Sequence, residues 1–108
     1  MVNRLADGVS LLEEVGLASV RLGADTYHMN IEEADPAAAL ETAGPWIGHV
    51  QVSDSNRLEP GAGHVDWAAI CASVKAIGYD GPLALECRLS GPAEDVLPRV
   101  SALLRRYL

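Results

Sequence analysis

The sequence has no apolar run that approaches the roughly 20 residues needed to cross a bilayer. It also has no basic segment followed by an apolar stretch near its N-terminus, so a membrane-embedded and an exported protein are both disfavoured. Apolar residues make up 49% of the 108 residues and charged residues 21%, which is typical of a folded globular chain. We expect a cytoplasmic protein with no membrane partner.

Basic residues are scarce. Eight Lys and Arg stand against 15 Asp and Glu, which gives a formal net charge of −7. Because proteins that bind nucleic acid supply cations to the phosphate backbone, this balance disfavours nucleic acid as the main partner. A small sugar or acid is the favoured kind of partner.

Cysteine is also rare. Cys71 and Cys87 lie far apart and lack the close spacing of cysteine metal sites. We predict two free, buried thiols that pack as small apolar groups. A redox or ligand role is the less favoured alternative for both.

Hydrophobic periodicity and turn residues predict helices that alternate with strands. An opening helix is indicated by apolar residues at helical spacing that end at Gly16. Strands are predicted at 19–22 running to Asp25, at 47–53 and at 81–87. Further helices are predicted at 36–43 after an Asp35 cap, at 66–77 and at about 96–108, where Pro98 would fit only in the first turn.

This order of elements predicts a parallel sheet, because strands separated by single helices are joined by right-handed crossovers. The predicted fold class is therefore α/β, with about three βα units of parallel sheet preceded by a helix, which is the pattern that a partial (β/α)8 TIM barrel would show. A complete barrel takes about 250 residues. Residues 1–108 are thus expected to form a single partial domain.

Polar residues stand where each predicted strand ends. Asp25 opens a polar run, Gln51 lies near the end of the second strand and Glu86 near the end of the third. In parallel βα enzymes this edge of the sheet carries the chemistry. Two carboxylates and an amide oxygen suit Mg²⁺ or Mn²⁺, and such an ion eases proton removal next to a sugar carbonyl.

Some of these residues have structural interpretations as well. Asp25 could cap the turn after its strand, His28 could be an ordinary loop histidine, and Gln51 could bond to local partners. Glu86 resists such an interpretation, because an apolar strand has no structural need for a carboxylate near its buried end. The joint placement of the three oxygen ligands favours the functional interpretation.

Taken in order, the segments DTYHMNIEE, HVQVSDSNRLEPGAGHVDW and LALEC resemble the sugar phosphate isomerase/epimerase family. This is the xylose isomerase-like barrel group that contains ketose 3-epimerases and hydroxypyruvate isomerases. The resemblance covers nearly the whole chain and corresponds to the C-terminal half of the barrel. It implies a metal-dependent sugar or sugar-phosphate isomerase or epimerase that transfers a proton through an enediolate, with Mn²⁺, Mg²⁺ or Co²⁺ as cofactor.

The same resemblance implies roles for individual residues. Asp25, Gln51 and Glu86 would be metal ligands, and Glu86 would also be the catalytic proton-transfer group. His28 and Arg57 would bind substrate oxygens. Gln51 departs from the 3-epimerases, which usually have histidine there, and is closer to the hydroxypyruvate isomerase pattern. The family's first glutamate ligand would lie upstream of Met1, so the chain alone is expected to be inactive.

Arg57 also has an alternative interpretation, as a surface charge paired with Asp54 or Glu59. For the whole chain, two other functions stay open. One is a non-catalytic half-barrel module that must associate, for example as a homo-oligomer, to cover its open sheet edges. The other is an apurinic endonuclease, which shares the barrel but has histidine-rich zinc sites; three histidines and a net charge of −7 fit it poorly.

Overall fold

The computed structural model describes all 108 residues and alternates helices with parallel strands. The elements, in chain order, are α1 (Leu5–Val15), β1 (Leu22–Asp25), α2 (Thr26–Glu32), α3 (Pro36–Ala43), β2 (Ile47–Val52), α4 (Trp67–Ala76), β3 (Leu83–Leu85) and α5 (Ala93–Tyr107). A short 3₁₀ turn, Gly44–Trp46, connects α3 to β2. No helix is long and apolar enough to cross a membrane.

The three strands form one parallel sheet in the order β1-β2-β3. Its two faces differ in burial. Val50 and Val52 are fully buried on one face, whereas Gly23 and His49 are exposed on the other. The helices therefore cover a single face, as the outer helices of a barrel do, and three parallel strands with this cover confirm the predicted partial α/β barrel.

Several predicted helix ends are confirmed. α1 ends at Gly16, whose φ of 67° is the left-handed conformation that glycine adopts without strain. Asp35 caps α3 by accepting from the N–H of Ala38, and Asp66 caps α4 by accepting from the N–H of Ala69. These ends are set by neighbours three or four residues away, which is why the sequence reveals them.

The strands β1 and β3 begin later than predicted, at Leu22 and Leu83, and two other elements differ more from the sequence prediction. The polar run after β1 is not a loop but the helix α2, which has only two buried residues, Thr26 and Met29, and so lacks a recognisable apolar period. The last helix begins at Ala93, with Glu94 and Asp95 in its first turn, where their charges favour the helix dipole. Pro98 consequently lies beyond the first turn, contrary to the prediction.

The two cysteines are free, as predicted, but only Cys71 is buried. Burial raises the pKa of the Cys71 thiol. Cys87 lies just beyond the end of β3 and is partly buried, so the prediction of two buried thiols is wrong for this residue. Partial burial, together with the negative charge of Glu59, raises its pKa, which keeps it in the unreactive thiol form.

Candidate active site at the carboxyl end of the sheet

The strand register places the three predicted oxygen ligands on one face of the sheet. Asp25 is paired with Gln51, and Gln51 is paired with Ala84. Glu86 follows Ala84 by two residues, and its N–H donates to Val52 O at 3.2 Å, which continues the strand pairing. Because side chains alternate along a strand, Glu86 projects to the same side as Ala84, and hence as Asp25 and Gln51.

Asp25 is both a helix cap and a candidate ligand. Its Oδ1 accepts hydrogen bonds from the backbone N–H groups of Tyr27, at 2.9 Å, and His28, at 3.4 Å. Its Oδ2 lies 3.9 Å from Nε2 of His28. The interpretation of Asp25 as a cap is therefore correct. The cap uses only Oδ1, however, and Oδ2 stays without a hydrogen bond and faces His28.

Gln51 and Glu86 form no side-chain hydrogen bonds within the chain, although Gln51 is half-buried. Glu86 is exposed, which corrects the expectation of a carboxylate near a buried strand end. The reason is that β3 ends at Leu85 and no other element of this chain covers that face of the sheet. Both side chains are thus available to an external partner.

Thr26 joins the ends of β1 and β2. Its Oγ1 donates to the carbonyl of Ser53 at 2.7 Å and accepts from the N–H of the same residue at 3.0 Å. Both residues are buried, at 1% exposure. This reciprocal pair fixes the first residue of α2 against the residue that follows β2, and nothing in the sequence pattern indicated it.

Arg57 does not form an ion pair with Asp54 or Glu59, so its interpretation as a paired surface charge is wrong. Its guanidinium carbon instead lies 4.7 Å from the centre of the Tyr27 ring, in the range of a cation–π contact. The Tyr27 and His28 rings are 5.3 Å apart in an edge-to-face arrangement. The two predicted substrate-binding residues, His28 and Arg57, therefore lie on either side of one tyrosine.

The loop that follows β2 is organised around a residue that the sequence did not single out. Asp54 is fully buried and accepts four hydrogen bonds, which come from the N–H groups of Ser55, Gly61 and Val65 and from the indole of Trp67. Burial alone would raise the pKa of Asp54, but the bonds from the indole and the backbone outweigh it and hold the pKa below its usual range.

A second carboxylate connects this loop to the segment after β3. Glu59 is 5% exposed and accepts hydrogen bonds from both the N–H and the hydroxyl of Ser90. The Ser90 hydroxyl is the main cause of the lowered pKa of Glu59. The sequence carries little signal for either carboxylate, because their partners lie up to 31 residues away.

Gly63 is required by the close approach of the Asp54 carboxylate. A Cβ added at Gly63 would overlap Asp54 Oδ1 and Ser55 Oγ, and the four hydrogen bonds prevent Asp54 from moving away. We expect Gly63→Ala to lower the free energy of unfolding by about 1–3 kcal/mol, the usual cost of overpacking, as measured by urea denaturation. Gly23→Ala is the matched control, because its Cβ would meet nothing within 4 Å; an equal loss in both variants would contradict the steric reason.

The donors at the strand ends suit a hard divalent cation only as part of a larger site. No group of three or more His, Cys, Asp or Glu side chains in the chain is arranged to hold a metal ion. The set formed by Asp25, Gln51 and Glu86 has two carboxylates and one amide oxygen, and such cations bind about six oxygens. The chemistry of these donors fits the metal, but further ligands are needed.

Comparison with known proteins finds a matching family model and several similar proteins that are named as epimerases. Residues 1–107 match the family model of the xylose isomerase-like TIM barrel. The chain is 40% identical over 86 residues to the D-psicose 3-epimerase of Agrobacterium fabrum, covering 80% of this chain and 30% of that protein. It is 36% identical over 105 residues to the L-ribulose 3-epimerase of Mesorhizobium japonicum, covering 97% and 35%. The chain thus spans about a third of the length of these curated relatives.

Among solved structures, the apo form of 3-keto-D-glucoside 4-epimerase from Escherichia coli is similar, with a TM-score of 0.89 and 36% identity over 98% of this chain and 41% of that one. This likeness extends over all three βα units. It agrees with the family match, and together they confirm the resemblance that the sequence motifs indicated. The chain therefore belongs to the xylose isomerase-like TIM barrel family.

Proposed function

We propose that residues 1–108 form a single partial domain, the C-terminal half of a metal-dependent sugar or sugar-phosphate isomerase or epimerase. The observation that carries the proposal is the register that puts Asp25, Gln51 and Glu86 on one open face at the carboxyl ends of three adjacent strands. The names of the similar proteins, which are ketose and keto-sugar epimerases, support the substrate class.

Asp25, Gln51 and Glu86 would hold a divalent metal ion, Mn²⁺, Mg²⁺ or Co²⁺, together with ligands from the rest of the barrel. When bound, such an ion polarises a sugar carbonyl and thereby acidifies the proton on the neighbouring carbon. Asp25 is already oriented for this role, since two backbone N–H groups fix one of its oxygens. Glu86, which is exposed on the same face, would accept the proton in its carboxylate form.

His28 and Arg57 would bind substrate oxygens beside these ligands. Nε2 of His28 lies 3.9 Å from Asp25 Oδ2, which is too far for a hydrogen bond, so it can donate to a hydroxyl held next to that carboxylate. Arg57 is half-buried and not paired with any carboxylate, and its guanidinium keeps its N–H donors for a ligand. Both residues border the Tyr27 ring, which places them at the strand end that carries Asp25.

A second function, a non-catalytic half-barrel that must associate, is favoured by the uncovered sheet. The outer edges of β1 and β3 have no neighbouring strand, and unpaired parallel edges invite association. Light scattering after size-exclusion chromatography tests this function, since a stable monomer would count against it. A homo-oligomer and a cytoplasmic location stay predictions of the sequence.

The proposed activity is tested on the complete protein, expressed from a reading frame extended upstream of Met1. We expect the chelator-stripped protein to be inactive on D-psicose and L-ribulose, and added Mn²⁺ to restore epimerisation. In D₂O the product should carry deuterium at the carbon that changes configuration, because the proton exchanges with solvent. Full turnover without metal would contradict the proposal. So would product without deuterium, if the proton held by the enzyme exchanges with solvent faster than turnover. The 108-residue chain is the control and should be inactive with metal.

A further inference from the structure

The carboxylate of Asp54 connects several parts of the segment between β2 and α4 by hydrogen bonds. Its four donors come from residues spread along this segment: Ser55 at its start, Gly61 and Val65 further on, and Trp67 in the first turn of α4. All four bonds are between 2.8 and 3.0 Å. A buried carboxylate that is fully satisfied by protein donors fixes the relative positions of these four points.

The backbone of Asp54 closes the turn that carries Arg57. The Arg57 N–H donates to Asp54 O at 2.9 Å, and the Asp54 N–H donates to Leu58 O at 2.9 Å. Arg57 has a φ of 60°, the only non-glycine residue with a positive φ. Such a conformation persists only where the surroundings enforce it, and the bonds to Asp54 are part of that enforcement.

Contacts on the far side of Arg57 complete its placement. Its carbonyl accepts from the N–H of Arg88 at 3.0 Å, and its guanidinium lies over the Tyr27 ring. The Arg57 side chain therefore reaches the end of β1, where Asp25 lies, only if the turn between Asp54 and Arg57 keeps its geometry. That turn is anchored at Asp54.

We propose that Asp54 is a positioning residue that acts through Arg57, holding its guanidinium over Tyr27 at the edge of the substrate site. The inference rests on the proposed function, in which Arg57 binds a substrate oxygen. Asp54 itself is fully buried, so its carboxylate is not accessible to a substrate.

The first test uses Asp54→Asn in the 108-residue chain. Asparagine keeps the shape of the side chain but turns one acceptor oxygen into an N–H₂ group that faces two N–H donors. In NMR spectra, the wild-type Arg57 δ-protons should be shifted by the Tyr27 ring current, and this shift should be lost in the variant. Amide exchange at residues 55–65 should accelerate roughly tenfold or more, with exchange in β2 unchanged.

Ser73→Ala is the matched control. Ser73 is also buried and donates a side-chain hydrogen bond, to Glu41, but it lies in α4 away from the loop. Even if Ser73→Ala lowers the stability of the chain, it should leave the Arg57 shift unchanged. If Asp54→Asn does not fold, Trp67→Phe removes the indole donor together with part of a buried ring, leaves the three backbone donors, and should reduce the Arg57 shift partly. An unchanged Arg57 shift in the folded variant would overturn the inference.

The second test separates positioning from the proposed function in the complete enzyme. We expect Asp54→Asn to raise KM about tenfold with a smaller change in kcat, and to have no further effect on kcat/KM in an Arg57→Ala background, as coupled residues show. If Arg57→Ala leaves KM unchanged, the proposed role of Arg57 fails, while the NMR result still decides whether Asp54 positions it. Additive effects in the double variant would overturn the inference.

Discussion

In the complete enzyme, Glu86→Gln is expected to lower kcat by about 10²- to 10⁴-fold, the usual contribution of a general acid–base group. Glutamine preserves the size of the side chain and an amide oxygen that can still contact a cation, but it cannot take up a proton. KM should change far less than kcat, because the other ligands and the substrate-binding residues are untouched. Steady-state kinetics with saturating Mn²⁺ would measure the effect.

Glu13→Gln provides the control for this variant. Glu13 is an exposed glutamate in the last turn of α1, in the same groove as Pro45 and Trp46 at the amino end of β2, and so at the opposite end of the sheet. Its replacement should leave kcat and KM unchanged. Since the side chain of Glu86 is exposed and forms no hydrogen bond, both variants of the 108-residue chain should have wild-type stability. Full turnover by the Glu86 variant would end its assignment as the proton-transfer group.

Thr26→Val should lower the free energy of unfolding by about 2–4 kcal/mol. Valine fills the same space but removes the hydroxyl that both donates to and accepts from the backbone of buried Ser53. Each backbone group left without a partner costs about 1–3 kcal/mol, and water has no access to replace the hydroxyl. Such a loss is a large part of the stability of a domain of this size. Urea denaturation of the 108-residue chain would measure it.

Thr42→Val is the matched control, because Thr42 is exposed in α3 and its hydroxyl donates only to the carbonyl of Ala38. That carbonyl already belongs to the helix, so the change should stay within about 0.5 kcal/mol. Equal stabilities for the two variants would show that the Thr26 pair adds nothing. Selective loss in Thr26→Val would show that this pair stabilises the junction between the ends of β1 and β2.

Most of the fold was predictable because its signals are local. The caps at Asp35 and Asp66 and the stop at Gly16 depend on neighbours within a turn of helix. The alternation of Val50 and Val52 with polar residues marks a strand with one covered face. The main exception is α2, whose seven residues are too few to show a helical period, and whose first turn is capped by the Asp25 side chain.

The sequence allowed the candidate ligands to be named, but it did not predict the contacts that hold the surrounding loops in place. Asp25, Gln51 and Glu86 could be named because each stands where a predicted strand ends, and the parallel order of the strands follows from the helices between them. Their roles stay predictions. By contrast, the stacking of Arg57 on Tyr27 and the bonds of Glu59 to Ser90 join segments whose separation along the chain follows no periodic rule.

The sequence alone thus determined the order of helices and strands, the α/β class and the oxygen-rich ends of the strands, because helical and strand periods, caps and turn residues act over a few positions. Only the tertiary structure decided which face those side chains share, how Thr26 locks two strand ends together, and how buried Asp54 organises its loop. These features depend on register and on hydrogen bonds between residues brought together by folding, and a buried polar group takes its partner from whatever the fold places beside it.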